Sequence, residues 1–152
     1  MKARQPAQLR SLRALVVMTL VVLTAQGWFG DTVNIFIVPA EGTSPPPASL
    51  SGFLHAVESL QPSFFLMWHT FEGLVLVALA IAVLAFSLMW SKARGVHIWS
   101  TLGLLQMLSA AWGGYRFVLS GFSDGASSAQ MGGSFIAAYA CYFLTLYCLK
   151  SS

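Results

Sequence analysis

Residues 64–90 read Phe-Phe-Leu-Met-Trp-His-Thr-Phe-Glu-Gly-Leu-Val-Leu-Val-Ala-Leu-Ala-Ile-Ala-Val-Leu-Ala-Phe-Ser-Leu-Met-Trp. Between Gly73 and Trp90 the one polar side chain is Ser87. A helix needs roughly 20 apolar residues to cross a bilayer, and this stretch supplies them. Near one end it carries His69 and Glu72, two ionisable groups that are costly to hold in hydrocarbon. The stretch therefore predicts a membrane helix, with its chemistry, if it has any, at the His69–Glu72 end.

Composition extends that reading to the whole chain. Of 152 residues, 57% are hydrophobic and 9% charged, where soluble domains run at about 25% charged. The net charge is +3, but no basic stripe with interleaved aromatics occurs, so no nucleic-acid partner is expected. Cys141 and Cys148 lie seven residues apart in an apolar segment. On a helix that is about 10 Å of rise, beyond the roughly 7 Å that a disulfide tolerates. They read as buried thiols.

Outward from residues 64–90, three more apolar segments appear. Residues 12–38 follow a basic start at Lys2, Arg4, Arg10 and Arg13. A signal peptide would share that basic start and short apolar core. Apolar character resumes through Trp28, Phe29 and Val33 to Val38, however, so a first membrane helix is expected, loosened at Gly27 and Gly30. Residues 96–120 and 129–149 complete the set, with the central span taken as 63–90. The outer loop over 39–61 contains three consecutive prolines, then Leu50, Phe53, Leu54, Val57 and Leu60 at 3–4 spacing. That spacing marks a short amphipathic helix lying at the interface. The expectation is all-α: a single membrane domain over residues 1–152, a four-helix transmembrane bundle running up-down-up-down, with the interfacial helix between helices one and two.

Charge fixes the expected orientation. Lys2, Arg4, Arg10, Arg13, Lys92, Arg94 and Lys150 fall on one side of these spans, and Asp31, Glu41, Glu58 and Asp124 on the other. Short loops rich in Lys and Arg stay in the cytoplasm. This predicts a multi-pass protein of the cell membrane with both termini cytoplasmic.

Helices in lipid associate through small residues that permit close approach. Ser109, Gly113 and Gly114 on helix three, and Gly133 and Ala137 on helix four, are the expected packing positions, tightest in the outer halves. At similar depth on the outer side lie Arg116, Glu72, Asp31 and Asn34. A lone arginine there costs about 2.5 kcal/mol or more, so Arg116 is expected to pair with Glu72, or failing that Asp31. This polar layer has several readings. One is a structural ion pair that sets helix register. Another is a b-type haem site, with His69 and Met131 as axial ligands and Arg116 on a propionate. A third is a metal or proton site at His69, Glu72 and Asp31. No nucleophile–base pair stands out, so catalysis is not expected.

Four short motifs carry a family resemblance: Gly30-Asp31-Thr32-Val33-Asn34-Ile35-Phe36, His69-x3-Gly73, Ser128-x2-Met131 and Tyr139-x2-Tyr142. With this arrangement of spans the chain resembles small four-helix integral membrane proteins of bacteria and archaea without assigned activity. The resemblance implies the fold and little about function. The functional expectation is a non-catalytic accessory subunit or small-ligand-binding module of a larger complex, in contact with lipid and with other membrane subunits; the alternatives are a small membrane cytochrome and a metal or proton site.

Overall fold

In a computed structural model the chain is all-helical among its described residues, which are 4–36, 49, 51–52 and 64–150. The described residues contain four long helices: α1 Arg4–Phe36, α2 Phe64–Trp90, α3 Arg94–Leu119 and α4 Gly125–Lys150. The interfacial helix expected in 39–61 falls outside the described residues, apart from Ser49, Ser51 and Gly52. Each helix packs on two neighbours, α1 on α2 and α4, and α3 on α2 and α4, with α3 and α4 sharing the most extensive contact.

The helices obey the expected boundaries except at α1 and α4. α1 runs unbroken through Gly27 and Gly30 and begins at Arg4 rather than residue 12. At 33 residues it is about 50 Å long, by the usual 1.5 Å rise per residue. α1 contributes Leu12, Val16 and Leu23 to the core, all fully buried. α1, α2 and α4 are long and apolar enough to cross a membrane. α3 is comparable in length, at 26 residues, but is diluted by Arg94, His97, Gln106, Arg116 and several glycines.

The outer surface is not that of a protein folded in water. Large apolar residues face outward on every helix: Val21 on α1, Leu74 and Leu88 on α2, Leu105 and Trp112 on α3, Ile136 and Phe143 on α4, most of them more than half exposed. Alongside its apolar core the interior holds hydroxyls and an amide: Thr19, Gln26, Ser87, Ser100, Ser134 and Thr145 are buried. Soluble monomers rarely expose continuous apolar surface beyond a few hundred Å², because water penalises it. In lipid that penalty disappears, and interhelical hydrogen bonds and small residues hold the helices together.

The α2–α3 turn is closed by such bonds. α2 leaves its last carbonyls without helical partners, and His97 Nε2 lies 3.1 Å from Ser87 O and 3.0 Å from Ser91 O. Both acceptors are carbonyls, so Nε2 carries the proton. Behind it, the hydroxyls of Ser87 and Ser100 meet at 2.9 Å, joining α2 to α3. At the same end of the molecule, the Arg13 guanidinium donates to Leu149 O. A cation at a helix C-terminus is favoured by the helix dipole, and this bond ties α1 to the end of α4.

The α3–α4 turn follows from Ser120-Gly121-Phe122-Ser123-Asp124. Gly121 and Phe122 both take left-handed backbone, with φ of 65° and 64°. Gly121 N–H donates to Val118 O and Phe122 N–H to Phe117 O, each at 3.0 Å. This is the Schellman arrangement, which satisfies the orphan carbonyls of the helix end. Phe122 has no glycine's excuse for that backbone, and the conformation costs roughly 1–2 kcal/mol. Its ring packs edge-on against Phe117 at 5.4 Å, the apolar contact that accompanies this motif and offsets the strain. Asp124 then caps α4, its Oδ1 accepting from Ala126 N–H at 3.1 Å. The cap explains why α4 starts at Gly125 and not at the expected residue 129.

Along the α3–α4 interface, residue numbers rise on one helix as they fall on the other. Gly95 lies against Cys148, Gly103 against Tyr142, and Gly113 against Met131 and Ser127. A Cβ on Gly113 would sit 2.9 Å from Met131 N and Ser127 O, both backbone atoms, so the two helices touch there main chain to main chain. Ser109 bonds Ser134 at 2.9 Å just beside it. Gly133 does not share this role: it is exposed, and a Cβ there would meet nothing within 4 Å. Gly103 takes its place. The two packing positions expected on helix four, Gly133 and Ala137, are thus rotated off the interface, with Ser134 and Ala138 buried and Ala137 at the margin.

Candidate functional site

Gln26 and His69 meet where α1 faces α2. Two motifs of the same form meet there, Gln26-x3-Gly30 on α1 and His69-x3-Gly73 on α2. Residues four apart stack on one helix face, so each glycine lies one turn from its polar neighbour and makes room for the other helix's side chain. The His69 ring rests on Gly30, where an added Cβ would stand 3.0 Å from Cε1. Gln26's amide rests over Gly73, 3.6 Å from the corresponding position.

Hydrogen bonding orients both groups. Gln26 Nε2 donates to His69 O at 3.0 Å and lies 3.4 Å from His69 Nε2. A backbone carbonyl can only accept, so the amide nitrogen, not its oxygen, faces His69. His69 Nε2 then meets an N–H and serves as acceptor, which puts the proton of a neutral ring on Nδ1. Of the five buried side-chain atoms without a hydrogen-bond partner among the described residues, three belong to this end of α1 and α2: Gln26 Oε1, His69 Nδ1 and Glu72 Oε2. Gln26 is only 8% exposed, so water does not reach it freely. Each buried, unsatisfied group costs about 1–3 kcal/mol, and three of them in one recess are an unusual debt for a purely structural contact. His69 and Glu72 are three residues apart and share a helix face.

Aromatic rings lie at the same end of the α1–α2 seam, Trp68 and Phe71 next in sequence to His69 and Glu72. Phe29 and Trp68 lie 6.3 Å apart across the α1–α2 seam, Trp28 packs on Phe29 at 5.1 Å, and Trp68 has Phe64 and Phe71 on either side at 6.0 Å each. Phe64, Phe71 and Trp28 are more than half exposed.

The remaining expected site residues are dispersed. Arg116 does not pair with Glu72. It sits in the last turn of α3 and bonds Asp124 at 3.3 Å, with its side chain half exposed. The reason is local: the Schellman turn returns the chain so that the α4 cap lies beside the cation ending α3. The side chains of Asp31 and Asn34 lie outside the described residues, and with them any Asp31 share in a metal or proton site. Among the described residues no three His, Cys, Asp or Glu side chains converge. Met131 packs its Sδ against Gly114 of α3, while His69 packs on Gly30 of α1. Sequence reasoning passed over Gln26 as a site residue, although its x3-Gly spacing mirrors that of His69. It also passed over Tyr142, whose side chain is fully buried with an unpartnered hydroxyl.

Asp124 has a measurable signature. The Ser127 hydroxyl bonds its carboxylate. That bond and the Ser127 N–H, helped by the Ala126 N–H and the charge of Arg116, hold the carboxyl below its ordinary range against an opposing desolvation effect. A depressed folded-state value means stability present above the ordinary carboxylate range and lost as pH falls through the folded value. Melting of the detergent-solubilised protein is expected to shift downward on acidification below about pH 4. Asp124→Asn should show a shallower acid limb than the native chain, and equal limbs would refute the assignment.

An open, almost entirely apolar groove runs along α4, lined by Phe135, Ile136, Tyr139, Ala140, Phe143 and Leu144. It offers a ligand little polar orientation and suits an acyl chain. No family model, curated protein or solved structure matches the chain.

Proposed function

We propose that this chain is a multi-pass cell-membrane protein whose four helices cross up-down-up-down, with both termini cytoplasmic and residues 39–61 outside. It acts without chemistry of its own, as a small-ligand-binding module and accessory subunit of a larger membrane complex. The observation that carries the membrane reading is the apolar outer surface, which extends to α3: Ile98, Leu105 and Trp112 are more than half exposed while Ser100 and Gly103 are buried. The ligand reading rests on the three unpartnered atoms of Gln26, His69 and Glu72. Charge supports the orientation, since Lys92, Arg94, Arg13 and Lys150 gather at one end and Asp124 lies at the other.

Orientation is tested with Ser123→Cys and Lys92→Cys, both exposed positions, and a membrane-impermeant maleimide. Labelling of Ser123→Cys in intact cells and of Lys92→Cys only after permeabilisation is the expected result, with the native chain measuring background from Cys141 and Cys148. The opposite pattern inverts the map, and labelling of both positions in intact cells refutes the crossing scheme. Ligand binding is tested by mass spectrometry of compounds co-extracted from the native membrane. A compound present with the native chain and lost in Gln26→Leu is expected. Identical content in the two would defeat the ligand reading, and a Soret band would replace it with haem on His69. Extraction in mild detergent that returns this chain alone counts against the complex.

A further inference from the structure

The chemistry of the recess narrows what it binds, given the ligand-binding reading above. Its setting asks for a molecule that partitions into a bilayer, because α2 belongs to the apolar span Leu66–Trp90. Its atoms ask for something more specific. With its Nε2 facing the Gln26 amide nitrogen at 3.4 Å, His69 presents Nδ1–H as a buried donor. Gln26 Oε1 presents a buried acceptor, and Glu72 Oε2 a second. A group that satisfies the recess must accept one hydrogen bond and donate another.

A carbonyl or ether oxygen accepts only, and leaves the amide oxygen stranded. An ammonium donates only, and leaves the imidazole N–H stranded. A hydroxyl does both from one oxygen. The neighbouring surface selects among hydroxyl compounds. Phe29 and Trp68 bridge α1 and α2 at 6.3 Å, and Phe71 lies 6.0 Å from Trp68. These rings give a flat ring offset or edge-on partners beside the polar atoms.

We infer that the Gln26–His69–Glu72 recess binds a lipid-soluble phenol of the quinol type, its hydroxyl accepting from His69 Nδ1–H and donating to Gln26 Oε1 or Glu72 Oε2, and its ring against the Phe29–Trp68–Phe71 aromatics. The proposal concerns binding alone, and no electron leaves the ligand at this site. It distinguishes the reduced from the oxidised form of such a compound: a quinone carbonyl accepts but cannot donate, so the reduced form binds more tightly.

The test uses the full chain in nanodiscs and two probes that differ in one hydrogen-bond donor, 4-nonylphenol and its methyl ether 4-nonylanisole, with binding followed by isothermal titration. The phenol is expected to bind saturably and at least about tenfold more tightly than the ether, the value of one buried hydrogen bond. Decylubiquinol is expected to exceed decylubiquinone by a similar factor. His69→Phe and Gln26→Leu should each weaken the phenol about tenfold and bring phenol and ether together, while Glu72→Gln, which keeps an acceptor oxygen, should weaken it less. The probe comparison on the native chain needs no variant to fold. Equal affinities for phenol and ether, or phenol affinity unchanged in both His69→Phe and Gln26→Leu, would overturn the inference. A different class of compound, co-extracted with the native chain and lost in Gln26→Leu, would also overturn it while leaving the ligand-binding reading intact.

Discussion

Gly113→Ala is expected to destabilise the bundle more than any other glycine-to-alanine change. An added Cβ would lie 2.9 Å from Met131 N and from Ser127 O. Neither atom can rotate away, because both belong to the backbone of α4, so the helices must part. Overpacking typically costs 1–3 kcal/mol, and a main-chain contact puts this case at about 3 kcal/mol. Separation would also lengthen the nearby Ser109–Ser134 bond of 2.9 Å, an interhelical bond whose loss matters most if the interface lies in lipid, where hydrophobic burial adds nothing. The magnitude should fall in a definite order. At Gly103 the neighbour is the Tyr142 ring, 2.8 Å from the added carbon, and a buried ring yields only slightly. At Gly114 it is Met131 Sδ at 3.3 Å, the end of a flexible chain that can turn aside. At Gly133 an added Cβ meets nothing within 4 Å, and the better helix propensity of alanine should leave stability unchanged or slightly raised. Thermal melting in one detergent across the four variants checks the order. A Gly133→Ala loss as large as that of Gly113→Ala would mean the α3–α4 interface is rotated from the one described.

That order shows what can and cannot be read from spacing. Gly133-x3-Ala137 and Ser109-x3-Gly113 look alike as text, and both suit helix contact. Spacing fixes which residues share a face, but not which way the face turns. The rotation of α4 is set by Asp124, which caps it and starts it at Gly125, and by Tyr142, which fills the space over Gly103. The Arg116 pairing failed for a related reason. Depth along the membrane normal puts Arg116 and Glu72 at similar levels, and depth was all that charge sorting offered. Asp124 is eight residues away in sequence, and the Gly121–Phe122 turn had already brought it alongside. A long-range pair must win against a local one whose loop is closed by other bonds, and here it did not. The helices themselves were legible because long apolar runs depend on composition alone. The His69 end of α2 was legible as polar, and half of its constellation was missed because Gln26 is a neutral residue in a helix with no other mark than its x3-Gly spacing.

The second large effect is expected at Tyr142, and its two substitutions should differ in sign. The side chain is fully buried among α3, α4 and the core residues Val83, Val96 and Ala138, and its ring lies over Gly103, where only the absence of a Cβ leaves space for it. Tyr142→Ala removes the ring and leaves a void that α3 cannot fill, since Gly103 has no side chain to advance. Removing a buried aromatic costs about 3–5 kcal/mol, and much of that is lost packing contact, which lipid does not replace. The hydroxyl works in the opposite direction. It is buried without a hydrogen-bond partner among the described residues, a cost of about 1–3 kcal/mol. Tyr142→Phe keeps the ring and deletes the orphan, so stability should be unchanged or raised by about 1 kcal/mol. If the native chain instead holds a water on that hydroxyl, an apolar replacement would strand the water's other contacts and lower stability. Denaturation of both variants in the same detergent separates the cases: a Tyr142→Phe loss above about 1 kcal/mol shows that the hydroxyl is satisfied in the membrane, and a Tyr142→Ala loss below about 1 kcal/mol shows that α3 and α4 do not close over this ring at all.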